Sequence, residues 1–471
     1  VVQEVPITTE PLERFTSIIG ATHLQRLRDA LTVTGTLMAG RTLWHVNSTA
    51  AGGGVAEMLP VLLAYLRGAG VDARWVVVGG RPDFFTVTKR LHNHLHGSRG
   101  DGGELGGDER ACYDAVADGN AGQLTRLVRR GDVAVLHDPQ TAGLVEPLRE
   151  AGATVIWRCH VGCDTPNGLA HAGWSFLRPY LEAADAYVFS RRPHVHPWMP
   201  RYKVRLVPPS IDPFAAKNQP LEADAARAIV GHLGLISANG VAPAYRNRDG
   251  ASIIVQRRAE IVRGGATPTA NIPLVVQVSR WDRLKDMLGV MRAFAAGVDH
   301  GAHLALVGPS VASVADDPEG AEVLDECVRA WERLPAPARD RIHLVCLPMD
   351  DLDENAAMVN AIQRHAAVVV QKSLAEGFGL TVTEAMWKAR PVVASAVGGI
   401  QDQIVDGRHG MLVPDPADLP AFARAVQRLL TEPHTAARLG RNARRRVLGR
   451  FLGNRHLIQD AELLAGVSRR N

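Results

Sequence analysis

The sequence predicts an α/β protein built from two doubly wound Rossmann-like domains facing each other across a cleft, and three observations carry that prediction. At 471 residues the chain is too long for one ordinary hydrophobic core. Short β-rich apolar runs alternate with longer helical stretches, in two series parted by a proline-rich seam. The runs lack polar alternation, which implies burial on both faces and hence parallel sheets covered by helices. Right-handed crossovers between such strands give doubly wound domains.

The first series reads Thr42–Val46, Ala73–Val78, Asp132–Leu136, Ala153–Trp157, Asp185–Phe189 and Lys203–Val207, with helical segments such as Val55–Arg67 and Ala121–Arg130 between. The second reads Leu274–Val278, His303–Val307, Ile342–Leu347, Ala367–Val370, Pro391–Ala394 and Met411–Val413. Its helices include Asp286–Gly297, Ala321–Leu334, Met358–His365 and Leu419–Thr431. The seam falls at Val207–Asn218, where Pro208, Pro209 and Pro213 interrupt the pattern. This sets domains at 1–212 and 213–450, with residues 219–271 as an elaborated lead-in to the second. The helical stretch Phe451–Val467 is expected to pack back on the first domain. Ligands of such folds bind at the carboxyl ends of the strands, where helix N-termini converge.

Composition excludes several classes. With 53 Lys+Arg against 49 Asp+Glu the net charge is +4, and the arginines at 444–446 and 469–470 read as a solvated face rather than a nucleic-acid footprint. Five scattered cysteines (Cys112, Cys159, Cys163, Cys327, Cys346) argue against a disulfide framework and for a reducing cytoplasm. No apolar run is long enough to span a bilayer, and the start from Val1 shows no signal-peptide pattern. Three metal patterns fail: Cys159 and Cys163 around His160 lack a second cluster, Asp351-x-Asp353 sits in a polar turn, and His92, His94 and His96 fit a surface helix.

Three strand-to-helix junctions carry chemistry. The stretch Asn47–Gly54 ends in three glycines before a helix, so its backbone can approach an anion or a sugar. A bare tight turn accounts for it equally well. The loop Ser279–Asp286 places Arg280 and Lys285 at a sheet edge, where a forked donor and a point charge can hold a diphosphate. Solvated cations partnered by Asp282 and Asp286 are the alternative. The strongest junction is Gln371–Met386: Gly377 and Gly379 free backbone N–H groups, Glu376 lies on the turn, and Glu384 lies inside the helix. Each carboxylate can accept two hydrogen bonds from a vicinal diol. A Glu384–Lys388 helix pair and a capping role for Glu376 are the competing account. A further glycine turn follows at Val397–Asp402.

These residues resemble glycosyltransferase family 4, which has the GT-B fold, and within it the trehalose glycosyltransferring synthases, with trehalose phosphorylases as near relatives. The strings that carry the resemblance are HVNSTAAGGGVAEML (45–59), FFTVTKRLHNHLHG (84–97), WRCHVG (157–162), VFSRR (188–192), PPSIDP (208–213) and EGFGLTVTEAMWKARPVVASAVGGI (376–400). The resemblance implies an N-terminal acceptor-side domain and a C-terminal nucleotide-sugar domain. It gives Glu376, with Gly377, Phe378, Gly379 and Leu380, to the transferred glucose, Glu384 to the donor ribose, and Arg280 and Lys285 to the diphosphate. Gly53 and Gly54 face the donor, and His160 lies beside the donor sugar. Lys89, His92 and Asn93 approach the acceptor, with Asp138 in the same region. His94, His96, His194 and His196 match no family role.

What the resemblance implies is a retaining hexosyltransferase that moves glucose from ADP-, UDP- or GDP-glucose to glucose, giving trehalose. It implies no cofactor and no metal in the site, with Mg²⁺ open as a stimulant, and small sugars as partners, with no nucleic acid and no membrane; a homodimer stays open. Trehalose phosphorolysis, another sugar-like acceptor, and a non-catalytic nucleotide-sugar binder are the rivals.

Overall fold

The computed structural model describes residues 2–50, 54–238, 240–247, 250–299, 301–311 and 319–468. The chain divides into two units. Unit 1 takes Val1–Ser210, Glu376–Phe378 and Phe451–Asn471; unit 2 takes Ile211–Ala375 and Gly379–Arg450.

Unit 1 holds β1 (Gln3–Val5), β2 (Leu43–Asn47), β3 (Ala73–Val77), β4 (Val133–His137), β5 (Thr154–Cys159), β6 (Ala186–Phe189) and β7 (Val204–Leu206). Their order across the sheet is β1-β3-β2-β4-β5-β6-β7, parallel except for β1, which runs antiparallel on β3. The order reverses between β2 and β4, so a doubly wound fold has its ligand crevice beyond those two strand ends. One face is apolar, with Trp44, Val46, Leu136 and Trp157 in the core. The other bears His45, His137 and Arg158, all buried. The strands are buried on both faces, as expected; on this second, partly polar face the three polar side chains stand among apolar neighbours such as Leu43, Val133, Val135 and Ile156. The helix Gly453–Ser468 brings His456 and Asp460 to that face and packs on the helix Thr16–Leu37.

Unit 2 holds the hairpin β8 (Ala244–Arg246) and β9 (Ser252–Ile254) and a sheet of β10 (Glu260–Val262), β11 (Leu274–Val278), β12 (His303–Pro309), β13 (Ile342–Leu347), β14 (Val368–Gln371), β15 (Val392–Ser395) and β16 (Met411–Val413). The sheet order is β10-β13-β12-β11-β14-β15-β16, parallel except for β10 on β13. Here the switch lies between β11 and β14. The lead-in 219–271 resolves into the helix Ala223–His232, the hairpin and β10.

Every strand of both expected series forms, within a residue or two of its expected bounds. One helix is displaced. In place of Ala121–Arg130 the helix is Gly107–Leu124, with Tyr113, Ala117, Ala121 and Leu124 as its buried stripe. Beyond it the Asp132 carboxylate accepts the Arg129 N–H at 2.9 Å and the Trp44 indole N–H at 3.0 Å, so the backbone turns into β4 instead of continuing helical.

The helix Pro433–Arg450 fixes the C-terminal end of the helix Leu380–Trp387, which carries Glu384. Contact is close because position 440 is glycine: a Cβ there would lie 2.1 Å from the Ala389 carbonyl oxygen. Gly→Ala inside a helix ordinarily gains about 1 kcal/mol. At Gly440 that gain is outweighed by the clash, so G440A is expected to cost about 1–3 kcal/mol. Gly449 on the same helix has open space around it, so G449A should stabilise by roughly 0.5–1 kcal/mol. Urea denaturation of the two variants checks the opposite signs.

Candidate functional site

At the unit 2 switch point the loop after β11 is pinned to the strand β14 by one side chain. Gln277, fully buried, donates its amide N–H to the Lys285 carbonyl at 2.7 Å and accepts the Lys372 N–H at 3.0 Å. Leu374 N–H adds a bond to the Leu284 carbonyl at 2.8 Å. Asp286 takes a left-handed conformation (φ 47°), caps the helix Met287–Gly297 through the Gly289 N–H, and pairs with the buried Lys372 ammonium. Trp281 anchors the other end: its indole donates to the Pro309 carbonyl at 2.9 Å, and its ring occupies the space a Cβ on Gly308 would need. Arg280, half-exposed, lies 3.5 Å from Asp282, while Arg283 joins Glu319, Glu322 and Glu326 on the surface. Arg280 and Lys285 are thus carried on a loop fixed at both ends.

From β14 the chain runs through Ser373 to Gly379, whose left-handed φ of 85° opens the helix Leu380–Trp387. Gln403 holds this start, donating to the Gly379 carbonyl at 3.2 Å and accepting the Thr383 hydroxyl at 2.7 Å. Glu384 is buried in the helix, with Lys217 Nζ 3.8 Å from its carboxylate. Lys388, the competing helix partner for that carboxylate, instead donates its ammonium to Gln363, Asn218 and the Glu384 backbone carbonyl. Burial lowers the Lys388 pKa.

In unit 1, Glu376 is half-buried, and Gly377 lies against the loop after β5: a Cβ there would stand 2.3 Å from the His160 carbonyl oxygen. Phe378 packs edge-on against Phe451 at 5.7 Å. His160 and Asp138 are brought together, the Asp138 carboxylate accepting the His160 N–H at 2.7 Å. Asp138 has φ 63° and ψ 177°, and burial pushes its carboxyl up to about 7, against the His160 N–H and Arg158, which favour the charged form.

The helix Pro82–Leu95 carries Lys89, His92 and Asn93. Lys89 and His92 are half-buried; Asn93 is buried beneath the Gly100 turn. This is not a surface helix, because His94 and His96 are buried too, and His96 Nδ1 stands 2.9 Å from the Gly162 carbonyl. The end of this helix therefore meets the loop that begins at His160. Gly54 opens the helix Gly54–Gly68; Gly53 lies outside the described residues. Asp351 caps the helix Leu352–His365, and among the described residues no cluster of three His, Cys, Asp or Glu side chains could hold a metal ion.

Sequence reasoning missed most of the members that hold these loops, Gln277 and Lys372 in unit 2 and His45, His137, Arg158, His456 and Asp460 in unit 1, and named Asp286 only as a partner of loop cations. For Gln277, His45, His137 and Arg158 the available signal was a polar residue inside an otherwise apolar strand.

Comparison with known proteins follows this geometry. Residues 45–196 match the family model for the trehalose synthase N-terminal domain, and residues 268–446 match that for glycosyl transferases group 1. A trehalose synthase of Pyrococcus horikoshii is 33% identical over 98% of this chain and 98% of its own. One from Rubrobacter xylanophilus is 36% identical over 92% of this chain and 91% of its own. A trehalose phosphorylase of Pleurotus pulmonarius is 27% identical over 82% of this chain but 52% of its own. Among solved structures, a UDP-forming α,α-trehalose-phosphate synthase from Burkholderia xenovorans superposes with TM-score 0.66 at 16% identity, covering 91% of this chain and 100% of that one. A sucrose-phosphate synthase from Thermosynechococcus elongatus gives 0.62 at 20% identity, covering 92% and 100%. These structures establish the fold, GT-B.

The raised Asp138 pKa makes a signed prediction. A carboxyl ionising near 7 in the fold and near 4 unfolded keeps its proton longer in the native state. Stability therefore falls as pH rises from about 4 to 7 and the penalty is complete above that window. Asp138→Asn keeps the acceptor for His160 N–H and removes the charge. Thermal melts should show D138N and the parent alike near pH 4, and D138N more stable by roughly 2 kcal/mol at pH 8, the full shift being trimmed by partial exposure.

Proposed function

The chain belongs to glycosyltransferase family 4, on its trehalose synthase branch, and we propose that it transfers glucose from a nucleotide-diphosphate glucose to free glucose, forming trehalose with retained anomeric configuration. One observation carries this: at the unit 2 switch point a loop bearing Arg280 and Lys285 is clamped by Gln277 to the strand leading into the Glu376–Glu384 turn and helix, in a chain alike end to end to trehalose synthases. Cations on a preorganised loop suit a leaving diphosphate, because donors that need no reorganisation stabilise developing charge best.

In this proposal Arg280 and Lys285 hold the diphosphate and Glu384 takes the ribose diol. Glu376 and the backbone of Gly377, Phe378, Gly379 and Leu380 hold the transferred glucose, with His160 beside it and Gly53 and Gly54 facing the donor. Lys89, His92, Asn93 and Asp138 serve the acceptor. The bond from the anomeric carbon to the phosphate oxygen breaks, the bond to the acceptor hydroxyl oxygen forms on the same face, and the hydroxyl proton passes to the departing phosphate oxygen. No carboxylate acts as nucleophile, unlike the paired carboxylates of retaining glycosidases. The proposal needs no resident metal or other cofactor, and a cytoplasmic setting suits the five free cysteines.

Incubation of the purified protein with ADP-, UDP- or GDP-glucose and glucose, without phosphate, is expected to give an α,α-1,1-linked disaccharide by NMR together with nucleoside diphosphate. Disaccharide from maltose alone, or glucose 1-phosphate from trehalose and phosphate with no nucleotide-dependent product, overturns the donor assignment. Glu376→Ala should lower kcat on the order of 100–1,000-fold with the melting temperature kept. Glu384→Gln should act chiefly on the donor, raising its KM by roughly tenfold.

A further inference from the structure

Strand alternation sets three imidazoles and a guanidinium on one face of the unit 1 sheet. His45 pairs across the strands with Val135, His137 follows two residues later on the same face, Arg158 is the register partner of His137, and His160 comes two residues after it. The rings form a line: His45 Nδ1 stands 3.0 Å from His137 Nε2, and His137 Nδ1 stands 3.2 Å from His160 Nε2. The ring centroids stand 5.2 and 5.4 Å apart, far enough for contacts this short to run from ring edge to ring edge, with planes tilted by 30° in the first pair and 10° in the second.

We propose that His45 and His137 are positioning residues that fix which ring nitrogen of His160 bears its proton. This rests on the reading that His160 lies beside the donor sugar. Burial comes first, then neighbouring rings and the Arg158 charge, in holding all three imidazoles neutral: His45 is pushed down to about 3, and His137 and His160 well below the usual imidazole range. A neutral imidazole has one donor and one acceptor nitrogen. Only two arrangements then satisfy both contacts. Either every ring carries its proton on Nδ1 and the bonds run from His45 towards His160, or every ring carries it on Nε2 and they run back. A ring protonated unlike its neighbours leaves two lone pairs or two N–H groups facing each other.

His160 Nδ1, the nitrogen outside the chain of bonds, is therefore a donor in the first state and an acceptor in the second. That choice decides which hydroxyl orientation it can meet. The charged or titratable groups that face the line are Arg158, Asp138 and His456, the last from the covering helix. Outer partners of a functional histidine fix its tautomer in the same way at metal sites, where their loss costs roughly 10–100-fold.

The test uses the full chain labelled with ¹⁵N-histidine, free of ligand, with long-range ¹H–¹⁵N spectra assigned through His45→Gln, His137→Gln and His160→Gln. One shared tautomer across the three rings is expected; two different tautomers among them overturn the proposal. His137→Phe should lower kcat roughly 10–100-fold and leave the donor KM within about twofold. His137→Gln should recover part of the loss, because an amide also offers both a donor group and an acceptor. An unchanged kcat in H137F is equally fatal. Should H137F not fold, the parent spectrum still decides. A shared tautomer in a protein that makes no disaccharide would sink the assigned function and leave the linkage standing.

Discussion

Unit 1 is arranged around a positive charge that cannot be discarded. Arg158 is buried on the polar face of the sheet, and a guanidinium keeps its proton through any ordinary burial. A buried cation needs acceptors and a counter-charge. It donates to the Val207 carbonyl at 3.2 Å, and Asp460 lies 3.8 Å away on the helix Gly453–Ser468. Arg455 on that helix donates to the Pro208 carbonyl at 2.6 Å, and His456 meets Ser210 at 2.9 Å. The last helix of the chain is therefore held to unit 1 by polar bonds as well as by Leu457, Leu463 and Leu464. Burial first, and then this charge, opposes protonation of His45, His137 and His160, which favours the imidazoles beside it as neutral hydrogen-bonding groups.

Unit 2 meets the same demand differently. One of its buried lysines, Lys372, sits at the end of β14 and pairs with Asp286 across the switch point. The pair closes a loop whose carbonyl at Lys285 is already taken by Gln277. What results is a rigid cation-bearing turn rather than a relay of neutral rings. Anion binding asks for fixed positive ends, and sugar hydroxyls ask for groups that can both give and take hydrogen bonds. In the proposed function the two sheets divide these chemistries between them.

Much of this was legible in the sequence, and the limit is physical. Buried parallel strands write themselves as apolar runs, so the two series and the glycine turns at 377 and 379 were readable from spacing alone. Antiparallel edge strands β1 and β10 are three residues each, too short for a pattern. His45, His137 and Arg158 each stand alone inside a strand, and residues that come together from three strands carry no local spacing. The i,i+4 spacing that offered Lys388 as an alternative partner for Glu384 says nothing about Asn218 and Gln363, which reach the same ammonium from elsewhere. The helix misplaced at Ala121–Arg130 yielded to Asp132, whose carboxylate competes for backbone N–H groups that helical periodicity cannot see.

Backbone strain falls where these networks end. Among the described residues three non-glycine positions have positive φ: Asp138, Asp286 and Ala389. Such conformations cost of order 1–3 kcal/mol each and persist only when their surroundings over-determine them. At Asp138 that surplus is visible. Its N–H donates to the Arg158 carbonyl at 2.8 Å, its carbonyl accepts the Trp157 indole at 3.2 Å, and its carboxylate accepts the His160 N–H. Asp286 is held by its cap on Gly289 and its pair with Lys372. Both aspartates lie beyond a strand next to their own switch point, one after β4 and one after β11. Ala389 closes the end of the helix Leu380–Trp387, its N–H donating to the Met386 carbonyl at 3.0 Å and Gly440 packing against its own carbonyl. Strain is thus anchored by hydrogen bonds at all three positions, two of them beside the switch points where doubly wound folds bind their ligands.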